Sequence, residues 1–569
     1  MFIRNKAKNA KNVLICVLIA AMVLALGACN TGSGTSPTAA ATSTAASSGA
    51  PASTPAVGAG DQSTDAPVVE GVSYPLDTNV KLTYALQTQT QVTSLYTGLG
   101  DAPFGKALME QTGVEVDFQY LLNKEAFSLI FASGDYPDIF DYDFKANYAG
   151  GLEQAINENV IVPINDYIET CAPDYWAVIN SDPIWLKANK TSQGDFYGFT
   201  FLLEEAGGYL QVTNGAVIRD DWCRDLGIDL PETPTEVYEM LKLFKEEKGA
   251  TAPFSYHELH ANGYFFSWAG VPYRDWYQID GKVGFGAYNP NVKEVYLYLN
   301  KLYSEGLIDK NYATLDTDTY RSNFMNGVSG MLFRNLAGGI ATFIETMRND
   351  ENPEWSCTGG PYLVADELKG TGATPMAGQL KEGVNSTVLV ISSACEEVET
   401  AVKFLNYGYT DAGDLLYNFG VEGVSYEMVD GKPIYTEEVT DNPDGLAMQY
   451  AMAKYCRSWS SGPFVQDLGY GEQYNFRLPE QRLAVENWSN TNAKDHVIHY
   501  VNVSAANSSE FANIMSEVNT YVVEMMIKFV TGQIDIETEF DNYLGQLKKL
   551  GIETAIQYYQ ESLDEFNAR

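Results

Sequence analysis

Two short segments combine carboxylates with aromatic rings, a combination that suits a ligand rich in hydroxyl groups. The first is Asp141-Tyr142-Asp143, directly after a predicted strand that starts at Ile139. A carboxylate on each side of a ring can accept hydrogen bonds from hydroxyl groups while the ring covers an apolar face. The other interpretation is a packed tyrosine beside a helix N-cap.

The second segment is the aromatic run YFFSWAGVPYRDWY, residues 264–277. Gly270 and Pro272 lie close together in it, and no period of two or 3.6 appears, so a loop is predicted. We expect two of its rings, Phe265 and Phe266, to lie in the core. The rings that could form a platform for a ligand are Trp268, Tyr273 and Trp276.

The elements that must position these residues alternate between strands and helices. The pattern predicts strands over 81–87 and 114–120 and from Ile139, with helices over 103–111 and 125–132 between them. Such an order predicts a parallel sheet of the α/β class, whose ligands bind beyond the carboxyl ends of the strands. Asp141-Tyr142-Asp143 is predicted to lie at such an end.

A similar alternation continues through the middle of the chain, and the end of the chain is helical. A strand is predicted in GAVIRDDW, followed by helices over 235–248 and 292–305. The last sixty residues are predicted to be mostly helical, with Gly532 as a C-cap.

The N-terminal residues have the features of an export signal. A basic flank precedes an apolar stretch from Val13 to Leu26, and Leu26-Gly27-Ala28-Cys29 resembles a lipobox. Residues 1–28 are therefore predicted to be a lipoprotein signal peptide and Cys29 the lipidated residue; the alternative is an ordinary signal peptide that contains a cysteine. Residues 29–75 are predicted to be a disordered tether, of which thirty residues would reach roughly 30 Å. No transmembrane segment is predicted downstream.

Composition narrows the class of protein further. With 74 acidic and 36 basic residues the net charge is −38, which argues against a nucleic-acid partner. Residues 76–569 are too many for one compact core, so two lobes are expected. Five scattered cysteines after Cys29 predict no disulfide framework, and two His-x-x-His pairs lack a third ligand, so neither a metal site nor a cofactor is expected.

Five segments, taken together, resemble the extracellular solute-binding protein family 1, the lipoprotein-type sugar-binding components of ABC transporters. The resemblance extends from about residue 78 to residue 569. The segments are, in chain order, APFGKALMEQTGVEV, EAFSLIFASGDYPDIF, GAVIRDDWCRDLGIDLPETPTEVYEMLKLFKEEKG, YNFGVEGVSYEMVDGK and IKFVTGQIDIETEFDNYLGQLKKLGIETAIQYYQESLDEF.

This resemblance implies an α/β, two-lobed, periplasmic-binding-protein-like fold with a hinge, an interlobe cleft and a helical C-terminal segment. Residues 76–569 would form the solute-binding domain. Lobe 1 would comprise about residues 76–204 plus a later returning segment, and lobe 2 about residues 208–345 plus much of the C-terminal part.

The implied cleft adds candidate ligand-binding residues at the lobe crossing, at the end of a strand in lobe 2 and in the loop VEGVSYEM. Trp459, in RSWSSGP, could line the cleft or lie in the core. The added candidates are Glu204 and Glu205, Arg334 and Asn335, and Glu422 and Tyr426.

The resemblance implies a lipid-anchored receptor on the extracellular face of the cell membrane, not an enzyme. It would bind an oligosaccharide, deliver it to the permease subunits of an ABC importer and contact the membrane only through its lipid; we expect a monomer. A peptide-binding receptor of an ABC importer is the alternative. A surface-anchored glycoside hydrolase is a further alternative, which needs two carboxylates held about 5–10 Å apart.

Overall fold

The computed structural model describes residues 71–148, 150–204, 212–257, 263–376, 383–498, 501 and 503–569. The predictions for the signal peptide, for Cys29 and for most of the tether therefore lie outside the described residues. Glu205 lies outside them as well.

The strands of the described residues form four sheets. They are β1 (Lys81–Gln87), β2 (Glu115–Leu121), β3 (Ile139–Tyr142), β4 (Phe199–Leu203), β5 (Asn214–Ile218), β6 (Trp276–Ile279), β7 (Lys282–Phe285), β8 (Met331–Asn335), β9 (Thr358–Gly359), β10 (Val384–Ile391), β11 (Tyr426–Val429), β12 (Lys432–Tyr435) and β13 (Val465–Gln466).

The α-helices are numerous, and the longest are at the C-terminal end. They are Thr90–Thr93, Pro103–Thr112, Lys124–Ser133, Phe144–Asn147, Gly151–Asn157, Ile168–Cys171, Pro173–Asn180, Pro183–Ala188, Asp220–Leu226, Pro234–Glu246, Val292–Ser304, Thr317–Met325, Thr342–Met347, Val398–Asn406, Asp411–Asn418, Glu437–Thr440, Met448–Tyr455, Leu468–Tyr470, Pro479–Ser489, Ala505–Val530, Ile536–Lys549 and Ile552–Ala568.

The largest sheet has six strands in the order β13-β4-β10-β3-β1-β2. β1 pairs in parallel with both β2 and β3, which confirms the parallel arrangement predicted for the first three strands. β10 runs antiparallel to both β3 and β4, so the complete sheet is mixed. The α/β class is confirmed.

Local signals define the helices between these strands. The Asn123 side chain accepts a hydrogen bond from the Ala126 amide at 2.9 Å and caps the helix Lys124–Ser133. That helix ends at Gly134, whose φ of 74° is left-handed and favours glycine.

Successive side chains of a strand point to opposite faces of the sheet, and the two faces of the six-stranded sheet pack against different cores. Leu86 of β1 and Ile139 of β3 belong to the main core, whereas Phe140 and Tyr142 belong to a smaller core on the other face. Asp141 therefore shares the face of Ile139, because it lies two residues further along β3.

A second sheet has the order β8-β5-β9, with antiparallel pairs. The chain passes between the two sheets three times: from β4 to β5, from β9 to β10, and from β13 to the helix Pro479–Ser489. That helix packs on the second sheet, since Asn487 donates a hydrogen bond to the Gly359 carbonyl at 2.7 Å.

Trp488 fixes the same helix against the second sheet. Its indole is 1% exposed and its Nε1 donates to the Ala216 carbonyl at 3.3 Å. Glycine is required beneath it, because a Cβ at Gly215 would lie 2.3 Å from the indole and one at Gly359 2.6 Å from it.

The C-terminal helices pack on the helix Val292–Ser304 and also contact the segment that precedes β4. The Asn300 amide donates to the carbonyls of Phe529 and Val530, both at 3.1 Å. At the other end, Arg569 donates to the Thr191 carbonyl at 3.2 Å.

The prediction that Phe265 and Phe266 lie in the core is confirmed. Phe265 and Phe266 are each 1% exposed. The cysteines of the described residues are buried and unpaired; they are Cys171, Cys223, Cys357, Cys395 and Cys456.

Candidate ligand-binding site

An uninterrupted polar segment leaves the carboxyl end of β1. Residues 87–91 read Gln-Thr-Gln-Thr-Gln, with only amide and hydroxyl side chains. The Thr88 amide and hydroxyl both donate to the Leu121 carbonyl, at 3.1 and 3.0 Å, so the chain leaves the sheet in a fixed direction. Val92 is buried and anchors the short helix that follows.

Asp141 lies on the neighbouring strand, opposite Leu86 in the register of β1 and β3. Its side chain is 3% exposed and accepts a hydrogen bond from the Tyr84 hydroxyl at 3.1 Å. Burial raises the pKa of the Asp141 carboxyl, while the charge of Arg457 and the Tyr84 hydrogen bond act in the opposite direction.

A loop over residues 457–461 approaches the polar segment from a distant part of the sequence. The Gln89 amide donates to the Ser460 hydroxyl at 3.0 Å. Arg457 holds both sides together: its Nη1 donates to Gln89 Oε1, and its Nε donates to the Ser461 carbonyl at 3.2 Å. Trp459 is fixed by its Nε1, which donates to the Cys456 carbonyl at 3.0 Å.

These segments line an open cavity of about 250 Å³ at the carboxyl ends of β1 and β3. Its lining consists of residues 87–91, Asp141, Thr387 of β10 and residues 459–461. The lining thus contains amides, hydroxyls, one carboxylate and one indole, and no imidazole, thiol or amine. Such a set can donate and accept hydrogen bonds in many directions while the indole covers an apolar face.

Of the predicted segment Asp141-Tyr142-Asp143, Asp141 lines the cavity. Tyr142 is 6% exposed on the opposite face of the sheet and stacks on Phe127, with ring centroids 4.2 Å apart. Asp143 is half-buried outside the lining, where its carbonyl accepts the Asn147 amide at 3.1 Å.

Glu204 lies where the chain leaves β4 for the second sheet. It is exposed, and its carboxylate accepts a hydrogen bond from the Leu468 amide at 2.7 Å. It therefore joins two of the three crossing segments and does not line the cavity.

The predicted platform residues lie away from the cavity, and none of them lines it. Trp268 is half-buried in a 3₁₀ turn, 5.9 Å from the ring of Tyr298 in an edge-on arrangement. Trp276 begins β6 and lies 4.8 Å from the Tyr559 ring of the C-terminal helix. Tyr273 is half-buried before it.

The four remaining candidates fall in two other places. Arg334 and Asn335 end β8, half-buried, and Arg334 Nη1 donates to the Tyr320 hydroxyl at 3.4 Å. Glu422 is exposed in the turn before β11, whereas Tyr426 is 4% exposed and packs 6.1 Å from the Phe419 ring. Of the candidates predicted from the sequence, the structure therefore brings Asp141 alone to this cavity.

Sequence reasoning missed the polar segment 87–91 as well as Thr387, Ser460 and Ser461. A signal existed for the first of these, because five consecutive amide and hydroxyl residues begin at the last position of a predicted strand, at the edge where ligands bind. For Trp459 the sequence allowed either a cleft or a core position, and the structure shows that this residue lines the cavity.

Two properties of the described residues bear on the class of protein. None of their helices is long and apolar enough to cross a bilayer. Nor do these residues contain a group of three or more His, Cys, Asp or Glu side chains arranged to hold a metal ion.

Comparison with known proteins places the chain in a family. The fructooligosaccharide ABC transporter substrate-binding protein FusA of Streptococcus pneumoniae is 22% identical over 490 residues, covering 81% of this chain and 86% of that protein. The polygalacturonan/rhamnogalacturonan-binding protein YtcQ of Bacillus subtilis is 25% identical over 297 residues, covering 50% of this chain and 55% of that protein.

Solved structures share the fold. FusA in complex with kestose aligns with a TM-score of 0.69 at 20% identity, and alginate-binding protein AlgQ2 without calcium with 0.68 at 21%. Each alignment covers 86% of this chain and 99% of the other. The two-lobed solute-binding-protein fold expected from the sequence is thereby confirmed. The family model for the bacterial extracellular solute-binding proteins matches residues 96–414, more than half of the 569 residues, and this chain belongs to that family.

Proposed function

We propose that this protein is an extracellular receptor that binds an oligosaccharide and delivers it to an ABC import permease. The observation that carries the proposal is the cavity at the edge of the six-stranded sheet, with its amides, hydroxyls, single carboxylate and indole. Relatives whose names describe fructooligosaccharide binding and polygalacturonan/rhamnogalacturonan binding support the same class of ligand.

The lining chemistry matches a sugar in two respects. Sugar hydroxyls both donate and accept, as do the amides of Gln89 and Gln91 and the hydroxyls of Thr88 and Ser460. The axial C–H groups of a sugar form an apolar face, which the Trp459 indole can cover. A peptide would instead be held mainly through hydrogen bonds to its backbone.

We assign the lobes from the two sheets. Lobe 1 comprises about residues 76–204 and a returning segment that contains β10 and β13, and lobe 2 comprises about residues 208–345 and much of the C-terminal part. Closure of lobe 2 over the cavity would add contacts that exist only when a ligand is bound. Residues proposed to contribute at this stage are Asp143, Glu205, Trp268, Tyr273, Arg334, Asn335, Glu422 and Tyr426, with Tyr142 supporting Asp141 from the opposite face. Glu204 and Trp276 are not expected to contact the ligand, because their side chains already pair or pack within the protein.

We further propose that the receptor acts as a monomer without enzymatic activity, held at the outer face of the cell membrane by a lipid on Cys29. The lipobox-like sequence before Cys29 supports the anchor. The mature Cys29→Ala protein, without its signal peptide, should be released into the medium; retention of this mature variant in the membrane fraction would refute the lipid anchor.

The test of the function is a binding screen of the purified protein by tryptophan fluorescence and thermal shift, with neutral and acidic oligosaccharides and with short peptides. A saturable response to one class of glycan without release of products would support the receptor. A response to peptides alone would favour the peptide-binding alternative, and product formation from a glycan would favour a hydrolase.

A matched pair of variants ties the response to the cavity. Gln91→Ala removes a lining amide, whereas Gln119→Ala removes an exposed amide from the edge strand β2. The first should weaken sugar binding by several-fold, and the second should leave it unchanged. Equal effects would place the ligand elsewhere.

A further inference from the structure

The cavity contains a single ionisable side chain. Among the lining residues only Asp141 has an ionisable side chain, and it is negative when ionised. No lysine, arginine or histidine side chain is part of the lining. A ligand group placed here therefore meets one carboxylate and a ring of neutral dipoles.

Arg457 adjoins this site, but its side chain is not part of the lining. The residue is 3% exposed, and its donors are directed to Gln89 Oε1 and the Ser461 carbonyl. Both acceptors belong to residues that line the cavity, so Arg457 supports the lining residues from outside the cavity. Its positive charge favours the ionised form of Asp141.

The small volume limits what can enter. A cavity of about 250 Å³ is below the range of roughly 300–1,000 Å³ that is usual for a complete drug-sized ligand. It suits one ring of an oligosaccharide, with the rest of the ligand outside. That ring would lie beside Asp141, whose side chain is 3% exposed, and a poorly solvated charge acts more strongly on its neighbours than a charge in water.

A neutral ring and a uronic acid ring would behave oppositely in this position. The hydroxyls of a neutral ring can donate charge-assisted hydrogen bonds to Asp141. A uronic acid adds a second carboxylate beside Asp141, and the lining supplies no cation that could pair with it directly.

We propose that the cavity selects one neutral, hydroxyl-rich ring, that Asp141 is the residue that excludes uronic acids, and that Arg457 is a positioning residue that holds Gln89 and the loop 457–461 in place. The inference rests on the proposed function and specifies its substrate class. It separates this protein from relatives named for alginate or polygalacturonan binding.

The first experiment compares neutral and acidic trisaccharides by titration calorimetry at pH 7. The neutral probes are kestose, xylotriose and mannotriose, and the acidic probes are trigalacturonic acid and a mannuronic acid trisaccharide. At least one neutral probe should bind at least about tenfold more tightly than either acidic probe. Asp141→Asn should weaken that binding and reduce the preference, while Asp117→Asn, at an exposed position of β2, should change neither.

The outcomes are distinguishable. Acidic probes that bind as tightly as neutral ones would overturn the inference and leave the receptor function intact, as would an unchanged preference in Asp141→Asn. Failure of both classes to bind would refute the sugar-receptor function itself, and the inference with it.

The second experiment tests the positioning role of Arg457. Arg457→Lys keeps the charge but loses the paired donors, so neutral-sugar affinity should fall while the preference over acidic sugars remains. If Arg457 acts through Gln89, the affinity losses of Arg457→Lys and Gln89→Ala will be non-additive in the double variant. Additive losses of affinity in the double variant would show that Arg457 does not act through Gln89, and the positioning role would be wrong.

Discussion

The edge of the six-stranded sheet and the aromatic run 264–277 use their side chains in contrasting ways. The run is half aromatic, yet its rings pack: Phe265 lies 5.6 Å from the Phe254 ring, and Trp276 contacts rings of the C-terminal helices. The sheet edge has one indole, Trp459, among amides and hydroxyls, and it forms the cavity. Aromatic density therefore marks the core here, and polar density at a strand end marks the site.

The largest expected effect is on stability, in the aromatic run. Phe265→Ala removes a ring that is 1% exposed, so it should lower the free energy of unfolding by about 3–5 kcal/mol. Chemical denaturation measures this change, and Leu122→Ala, at a position 77% exposed, should stay within about 0.5 kcal/mol. A small loss for Phe265→Ala would contradict the assignment of this run to the core.

The next effect is on affinity, at the sheet edge. Trp459→Ala removes the only aromatic face of the cavity and should weaken sugar binding about tenfold or more. Trp276→Ala should instead lower stability with little change in affinity, since this ring packs on Phe285, Phe511 and Tyr559. If Trp276→Ala abolished binding while stability held, the comparison between the two regions would be reversed.

A third effect depends on pH and concerns Asp414, near the crossing between the lobes. Burial, with further contributions from Asp467 and Glu204, raises the pKa of Asp414 from 3.8 to about 7. The folded protein therefore binds more protons than the unfolded chain between about pH 4 and 7, and stability from this residue falls as pH rises through that window. Above pH 7 the loss is complete.

Asp414→Asn removes this titration and should stabilise the protein at pH 8 relative to wild type by about 1–2 kcal/mol, with a smaller gain at pH 4. Thermal unfolding at both values measures the difference. A gain that is the same at both pH values would show that the ionisation of Asp414 does not oppose folding.

The smallest effect is expected at Glu204. Its carboxylate is exposed and accepts the Leu468 amide, so Glu204→Gln keeps an acceptor and should change stability by no more than about 0.5 kcal/mol. The sugar affinity of Glu204→Gln, measured by calorimetry, should also be nearly unchanged, because Glu204 does not line the cavity. A large loss of affinity would make Glu204 a ligand contact formed on closure.

Local elements were predictable because their signals are local. The strand over 81–87 matches β1, and the helices predicted over 103–111 and 292–305 match Pro103–Thr112 and Val292–Ser304 to within one residue. Alternation, a glycine stop and helix periodicity are all encoded within a few residues of each element. The insertion of β10 between β3 and β4 was not predictable, since no local pattern specifies a distant antiparallel partner.

The site was predictable only in part, for a related reason. Asp141 could be found because it ends a strand of a parallel sheet. The alternation of side chains along β3 places Tyr142 on the opposite face, so neighbouring residues of that strand could not both line one cavity. The contact between Gln89 and Ser460 spans 371 positions of sequence, and chemistry assembled over that separation leaves no motif.

The three passages of the chain between the sheets have a consequence for biosynthesis. Both neighbours of β4 in its sheet, β10 and β13, are made later, after residues 384 and 465 respectively. A nascent chain that stops at residue 345 carries β4 with no partner on either side, and pairings this distant in sequence form slowly. The walls of the cavity come from residues 87 to 461, so the site cannot be complete before residue 461 has been made, and any truncation before that residue removes part of it.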